Sequence, residues 1–304
     1  MGRNEKKPAR GKRRERFAKM REEKEKTNKR KRKTDEVLDD LVDDEQVAQP
    51  KQVPRTVEST KIMDETVIKP GDEEVEIDIK NDEFESHWDP EVERNPRVLI
   101  TSSDNPHKRT IQLCRELKTI LPKSEFRFRN RSAIKKIIRG CIERDYTDLI
   151  VINENRREPN GMLVVHLPNG PTAKYRISSV KLSDEIPHSR RPPTYNRPEL
   201  ILNNFETRLG HTIGRMFACL FPKLPKFKCQ TVCTFHNQRD FIFFRYHRYE
   251  VDEETKSVTL RECGPQMTLK LMSLQSGLFD PQHGEYEWML KRHEMQKSRK
   301  RFYV

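Results

Sequence analysis

Charge is segregated along this chain, and the segregation limits where a core can form. Residues 1–33 hold 17 Lys and Arg against 5 Asp and Glu, residues 34–93 hold 5 against 21, and residues 94–304 hold 39 against 22. Such blocks, with scarcely an aromatic residue before Phe84, bury too little apolar surface to offset the entropy of ordering the chain. Disorder or isolated helix is therefore expected up to about Asp89. The chain divides into a basic tail over 1–33, an acidic and mostly disordered linker over 34–94, a folded domain over 95–282 and a basic C-terminal extension over 283–304.

The net charge of +13 suits a polyanionic partner, because Lys and Arg that neutralise phosphates release condensed counterions. Nucleic acid is the leading class, and plain colloidal repulsion is the alternative. Within the tail, Lys12-Arg13-Arg14 and Lys29-Arg30-Lys31-Arg32-Lys33 have the density of nuclear-import or RNA-binding clusters. Glu and Lys mixed at helical spacing also allow a solvated charged helix there. No apolar run approaches the roughly 18 residues of a membrane span, and the N-terminus lacks an apolar signal region, so no membrane partner is expected. The six cysteines, at 114, 141, 219, 229, 233 and 263, sit in apolar periodic segments and read as core thiols. Cys229, Cys233 and His236 suggest a metal, but on a strand four residues span roughly 13 Å, too far to share an ion. Neither a metal nor a cofactor is expected.

From Pro96 the pattern becomes globular. Residues 97–101 read as a short buried strand, and Ser103 or Asp104 followed by Pro106 marks a helix start. That helix places Leu113, Leu117, Ile120 and Leu121 on one face. A second helix from Ser132 buries Ile134, Ile137, Ile138, Cys141 and Ile142, leaving Lys135, Lys136 and Arg139 outward. Strands follow over 148–153, 162–167 and 172–180, the last two forming a hairpin around Pro168-Asn169-Gly170-Pro171. After a Pro-rich connector over 187–198 the pattern restarts, with a strand over 198–202, a helix over 207–221 and a strand over 226–235. A shift of one hundred residues lays Leu113, Leu117, Ile120, Leu121 and Pro122 over Ile213, Phe217, Leu220, Phe221 and Pro222, a weak internal duplication. The fold class is α/β, with two similar halves at about 95–186 and 198–282, each a sheet with packed helices.

Three segments could carry chemistry. Phe126-Arg127-Phe128-Arg129-Asn130-Arg131 alternates with strand period, which puts two Phe on one side and three Arg on the other, in a row about 6.6 Å apart that suits successive phosphates. The helix over 207–221 holds Gly210 and Gly214, which suit close packing of the two halves, and presents Arg208, His211 and Arg215 on the face away from Leu209, Ile213 and Phe217. Residues 241–249 interleave aromatics with Arg245, His247 and Arg248. This pattern fits either base stacking or a central strand with two buried faces, with Phe241 to Phe244 as core. No phosphate loop, Gly-x-Ser-x-Gly, His-Glu-x-x-His or dinucleotide fingerprint is present, and Asp104, three residues before His107, is read as a helix cap. At the C-terminus, Tyr286, Met289, Leu290 and His293 fall at helical spacing.

Asn204-Phe205-Glu206-Thr207-Arg208-Leu209-Gly210, then Cys263-Gly264-Pro265 and Thr268-Leu269-Lys270-Leu271, resemble the two signature stretches of the Brix family. Arg97-Val98-Leu99-Ile100-Thr101-Ser102 and Leu167-Pro168-Asn169-Gly170-Pro171 extend the resemblance. It implies an anticodon-binding-like fold of two halves and a non-catalytic scaffold role in assembly of the large (60S) ribosomal subunit. It also implies a nucleolar location, precursor rRNA as ligand and a dedicated protein partner within pre-60S particles. Its proposed RNA-binding segment, which resembles part of bacterial sigma factors, corresponds to 258–275, where Arg261, Lys270 and Gln275 hold polar positions. Gln266 and Met267 follow Gly-Pro where relatives commonly begin with Arg, and Met272 stands where a basic residue is common. The competing classes are a protein-interaction adaptor and an RNA-modifying enzyme.

Overall fold

A computed structural model of the 304-residue chain describes residues 19–29, 54–62, 66–69, 71–80, 84, 87, 95–189, 197–223, 230–252, 256–295 and 300–304, with backbone alone at 74 and 78–80. It separates into two units, 1–54 and 55–304. In the first, residues 19–29 form a helix, α1, whose side chains are all exposed, as a segment without an apolar face must be. Of the expected basic runs only Lys29 lies among the described residues. Lys12, Arg13, Arg14, Arg30, Lys31, Arg32 and Lys33 lie outside them.

The second unit is built on one eleven-stranded sheet. Its first strands are β1 (Val98–Ser102), β2 (Glu125–Phe126), β3 (Asp148–Asn155), β4 (Glu158–His166) and β5 (Thr172–Lys181). The later ones are β6 (Glu199–Asn203), β7 (Thr231–Gln238), β8 (Phe241–Val251), β9 (Val258–Glu262), β10 (Gln266–Gln275) and β11 (Tyr286–Met289). The spatial order is β2-β1-β3-β4-β5-β10-β8-β7-β6, with β9 on β8 and β11 on β10. β1 runs parallel to β2 and β3, β6 runs parallel to β7, and the remaining pairs are antiparallel.

Helices of this unit among the described residues include α2 (Glu73–Lys80), α3 (Lys108–Ile120), α4 (Ile134–Ile142), α5 (Arg208–Cys219) and the short α6 (Arg292–Met295). Leu113, Cys114, Leu117 and Ile120 of α3 and Ile213, Met216 and Phe217 of α5 join one continuous core with Ile100, Ile150, Tyr175, Phe235, Phe244 and Leu269 from the sheet. Phe217 anchors it, stacked on Phe235 at 4.3 Å and tilted against Tyr175 at 5.4 Å, ring pairs worth about 0.5–1.5 kcal/mol each beyond their burial. The opposite face carries a smaller core, in which Ile138 and Cys141 of α4 cover Leu99, Leu149, Val151, Leu163 and Val165. Coverage on both faces explains why all five residues of β1 are buried. Cys114, Cys141, Cys219, Cys233 and Cys263 are buried thiols, and Cys229 lies outside the described residues.

Several expectations are corrected. The first helix starts at Lys108, because Asn105 turns the chain at φ 49° and His107 stays extended as the residue before the helix. Asp104 is thus no cap, and its carboxylate accepts the Arg131 N–H at 2.9 Å. The 126–131 segment leaves the sheet after Phe126, and Asn130 and Arg131 adopt φ 51° and 60°. The regular row of three Arg on a strand is therefore absent. β3 and β4 run on to a tight turn at Arg156-Arg157 (φ 52° and 67°), and β7 and β8 meet at Arg239-Asp240 (φ 56° and 62°), two hairpins whose left-handed turn positions hold no glycine.

The C-terminal amphipathic helix is replaced by a strand. β8 pairs with β10 only at 267–270, and β11 pairs with β10 at 273–275, satisfying backbone groups that an open edge would expose. Gly210 and Gly214 do not pack the halves together. A Cβ at Gly210 would stand 3.1 Å from the backbone of Val304, and one at Gly214 would meet Leu202 and Phe205 of its own neighbourhood.

Disorder up to Asp89 fails for the described part of the acidic stretch. Val67 bridges Thr207, Glu58 pairs with Arg239 at 2.6 Å, Lys61 pairs with Glu206 at 2.7 Å, and Phe84 is fully buried with its ring 4.9 Å from His166. The His166 ring is in turn hydrogen-bonded at 2.8 Å to the buried Asp148. Phe84→Ala is expected to cost about 3–5 kcal/mol, as for other fully buried Phe side chains, read as a lower urea midpoint with an unchanged slope. A loss under about 1 kcal/mol would detach Phe84 from the core.

Candidate nucleic-acid interface

α4 covers only the β1-β3-β4 part of its face. Beyond β4 the same face continues over β5, β10, β8 and β7, and the helix among the described residues that approaches it there is the four-residue α6, whose Arg292 lines its cleft. Register fixes which side chains line it: Leu163 of the covered part pairs with Lys174, and one row across the strands runs Asn153, Gly161, Arg176, Lys270, Phe241, Gln238. The next row runs Ser178, Thr268, Phe243, His236. Paired residues point to one side of a sheet, so these rows form a surface of cations, aromatics and small polar groups.

Lys174, Arg176 and Arg292 are exposed and their side chains make no hydrogen bond or ion pair among the described residues. Lys270 lies 4.9 Å from the Phe241 ring centroid, a cation–π geometry. Burial lowers its ammonium pKa, Asp240 opposes this, and the like charges of Arg292 and Arg176 add to the lowering. Phe241 is 39% exposed, so the expectation of a strand buried on both faces at Phe241–Phe244 fails: Ile242, Phe244 and Tyr246 enter the core and Phe241 and Phe243 face outward. Arg245 sits beside Phe243, held by the Phe244 carbonyl at 2.8 Å and by Glu262 at 3.8 Å. At the β4–β5 side of this surface lies a cleft of about 1010 Å³ lined by Arg129, Asn153, Asn160, Lys174, Arg176 and Arg292.

The residues singled out from sequence fall into separate groups. Arg245, His247 and Lys270 share the open face, and Arg129 reaches its cleft. Lys135 and Lys136 project from the exposed side of α4, Lys135 held by Asp280 at 3.0 Å. Arg127 is committed to Glu125 at 2.9 Å, whose other oxygen takes Arg97 at 3.1 Å. Those bonds, Arg97 first, push the Glu125 carboxyl down to about 2. Arg131 is exposed and its side chain makes no bond among the described residues. Arg208, His211 and Arg215 belong to α5, packed on the opposite side of the sheet, and Arg248 alternates to that side too. Arg261 lies on β9 within 3.5 Å of Glu250. Gln275 leaves the set: it is 3% exposed and its amide is spent on the Asp280 backbone.

Lys174, Arg176 and Arg292 were missed. The alternation Lys174, Arg176 against the buried Ala173, Tyr175 and Ile177 was a usable signal, but α4 could have covered that face too. The described residues bring together no group of three or more His, Cys, Asp or Glu able to hold a metal, and none of their helices is long and apolar enough to cross a membrane.

Residues 103–273 match the model of the Brix domain, more than half of the chain, and the protein belongs to that family. Among curated relatives it is 54% identical over 257 residues to Ribosome production factor 1 of Pongo abelii, covering 84% of this chain and 73% of that protein. It is 39% identical over 298 residues to Ribosome production factor 1 of Saccharomyces cerevisiae, covering 96% of each. The crystal structure of a probable ribosomal biogenesis protein from Aeropyrum pernix K1 aligns with 64% of this chain and 99% of its own at 15% identity and a TM-score of 0.44.

Burial lowers the pKa of both His211 and His247 from 6.5, with Arg215 adding to the first and Arg245 to the second while Glu262 opposes. Each imidazole is thus easier to protonate unfolded than folded. The stability tied to the neutral rings is complete above the unfolded value and is lost as pH falls through it towards the depressed folded values. The double variant His211→Gln, His247→Gln is expected to lose less melting temperature than the unaltered chain between pH about 7.5 and about 5.5. An equal loss in both would show that these rings do not titrate in step with unfolding.

Proposed function

We propose that this chain is a ribosome-assembly factor that binds precursor rRNA of the large subunit as a non-catalytic scaffold, in the nucleolus, alongside a dedicated protein partner. The observation that carries the RNA part is the open sheet face. There Lys174, Arg176 and Arg292 stand without a carboxylate partner among the described residues, beside outward-facing Phe241 and Phe243. Exposed cations without a carboxylate partner are favoured by phosphate, and flanking aromatic rings are suited to unpaired bases. Ribosome assembly is supported by family membership and by the names of the relatives.

We read the sheet as two similar halves, about 95–186 and 198–282. With β2, α4 and β9 as insertions, the order β1, α3, β3, β4, β5 repeats as β6, α5, β7, β8, β10, and each set opens with a parallel pair and continues with antiparallel ones. Arg129, Arg245, His247 and Lys270, with Lys174, Arg176 and Arg292, form the proposed RNA surface. Arg127, Arg131, Lys135 and Lys136 extend it at the rim. The basic tail over 1–33 serves import, and residues 34–94 and 283–304 flank the RNA-binding domain.

Changing Lys174, Arg176 and Lys270 together to Ala is expected to weaken binding to RNA of any sequence. It should also lower the slope of log affinity against log salt by about 0.7–0.9 for each phosphate left without its cation. A folded triple variant with the original slope would move RNA off this face, and an unaltered chain that neither binds RNA nor crosslinks to it in cells would leave the adaptor reading. Deleting residues 1–33 should leave the melting temperature unchanged and reduce nuclear accumulation. A lower melting temperature would mean that the tail packs on the domain.

A further inference from the structure

Where the 126–131 segment leaves the sheet it builds a second, smaller site, and we propose that this site takes one unpaired RNA base, stacked on Phe128. The inference rests on the RNA-binding reading and concerns the rim of that surface, where Ser103 and Arg129 line both the cleft and this smaller pocket.

Phe128 is 48% exposed, the largest exposure among the described phenylalanines, and an aromatic ring left in water needs a reason. Phe126, packed on the main core, lies against it in a T-shaped pair at 5.0 Å. About half of the side chain remains open to solvent, which leaves room for a flat partner on the ring. Beside it opens a pocket of about 320 Å³, lined by Ser103, Asp104, Asn105, Asn130, Arg129 and Arg131, near the lower limit of volumes that hold small ligands.

The pocket lies just beyond the carboxyl ends of the parallel strands β1 and β2, where open α/β sheets bind ligands between their loops. Two hydrogen bonds tie its walls. Asp104 pins the Arg131 backbone at 2.9 Å, and the Arg129 Nε donates to the Ser132 carbonyl at 2.7 Å. Asn105, Asn130 and Arg131 hold φ 49°, 51° and 60°, so two left-handed turns face each other across the opening.

Among the described residues lining the pocket, the Arg131 guanidinium is the cation that is exposed and without a bond. A nucleotide whose base lies on Phe128 offers its phosphate to that group. Stacking is possible for any base in a single strand and is closed to a base paired within a duplex, so the site selects unpaired RNA.

The test uses the full chain and a short single-stranded RNA carrying a fluorescent purine analogue, with a duplex of the same sequence as control. Phe128→Leu keeps the apolar packing against Phe126 but cannot stack. It is expected to weaken single-strand binding on the order of tenfold, leave duplex binding and salt slope unchanged, and abolish quenching of the analogue. Phe128→Tyr should restore both affinity and quenching. Arg131→Ala should weaken binding with a salt slope smaller by about one. Wild-type affinity and quenching in Phe128→Leu, or an equal loss on duplex RNA, overturns the base site while leaving the RNA-binding reading intact. Failure of the unaltered chain to bind any RNA overturns both.

Discussion

The strand β10 holds the second unit together. Along one edge it pairs with β5 from Gln266 to Gln275, and along the other with β8 and then β11. Without it the strands would fall into two smaller sheets, each with an unpaired edge. Its entry is set by Gly264. At φ 69°, with a Cβ position 2.8–2.9 Å from Ile186 and Ser183, no other residue fits the turn that passes the chain from β9 to β10 along the same edge of β8. Met267, Leu269 and Leu271 then enter the shared core. A register shift near Leu271 lets Leu274 enter it as well.

Unequal helix coverage of the two faces follows from this sheet. α3 and α5 cover one face along its length, so a single core passes beneath both. On the other face α4 closes the part built by β1, β3 and β4, and its reach ends there. Beyond it the outward Lys174, Arg176 and Phe241 are exposed, Lys270, Phe243 and Arg245 are half-buried and Thr268 is buried. Polar and charged side chains are therefore tolerated where a second covering helix would have required aliphatic ones.

The basic character of the chain is distributed by what neutralises it. Arg127 and Arg97 share Glu125, Lys135 has Asp280, Arg239 has Glu58 and Arg261 lies near Glu250. Exposed pairs of this kind add little to stability because solvent screens them, but they offset the positive charge around them. On the open face and at its rim, Lys174, Arg176, Arg292 and Arg131 have no carboxylate partner among the described residues, and the same is true of Arg156 and Arg157 at the β3–β4 turn and of Lys181 at the end of β5. A count of Lys and Arg along the sequence therefore locates a polyanion surface less well than the positions of their carboxylate partners.

Much of the fold was legible in the sequence because local periodicity reports it directly. β1, β3, α4, β6 and α5 lie within a few residues of where apolar spacing put them, and the outward Lys135, Lys136 and Arg139 follow from the helical period of the apolar residues around them. Turns without glycine were not legible: Arg156-Arg157 and Arg239-Asp240 take left-handed conformations because antiparallel pairing on both sides forces them to, and no local signal marks this. Neither was the end of the chain, since helical spacing at 286–293 yields to the demand of an open β10 edge for backbone partners. The sequence by itself determined that β1, β3, α4, β6 and α5 form and which face of α4 and α5 is apolar. Only the tertiary structure decided that Phe84 is core, that Phe128 and Phe241 are surface and that Gln275 is buried, because those outcomes depend on which distant element covers a given face.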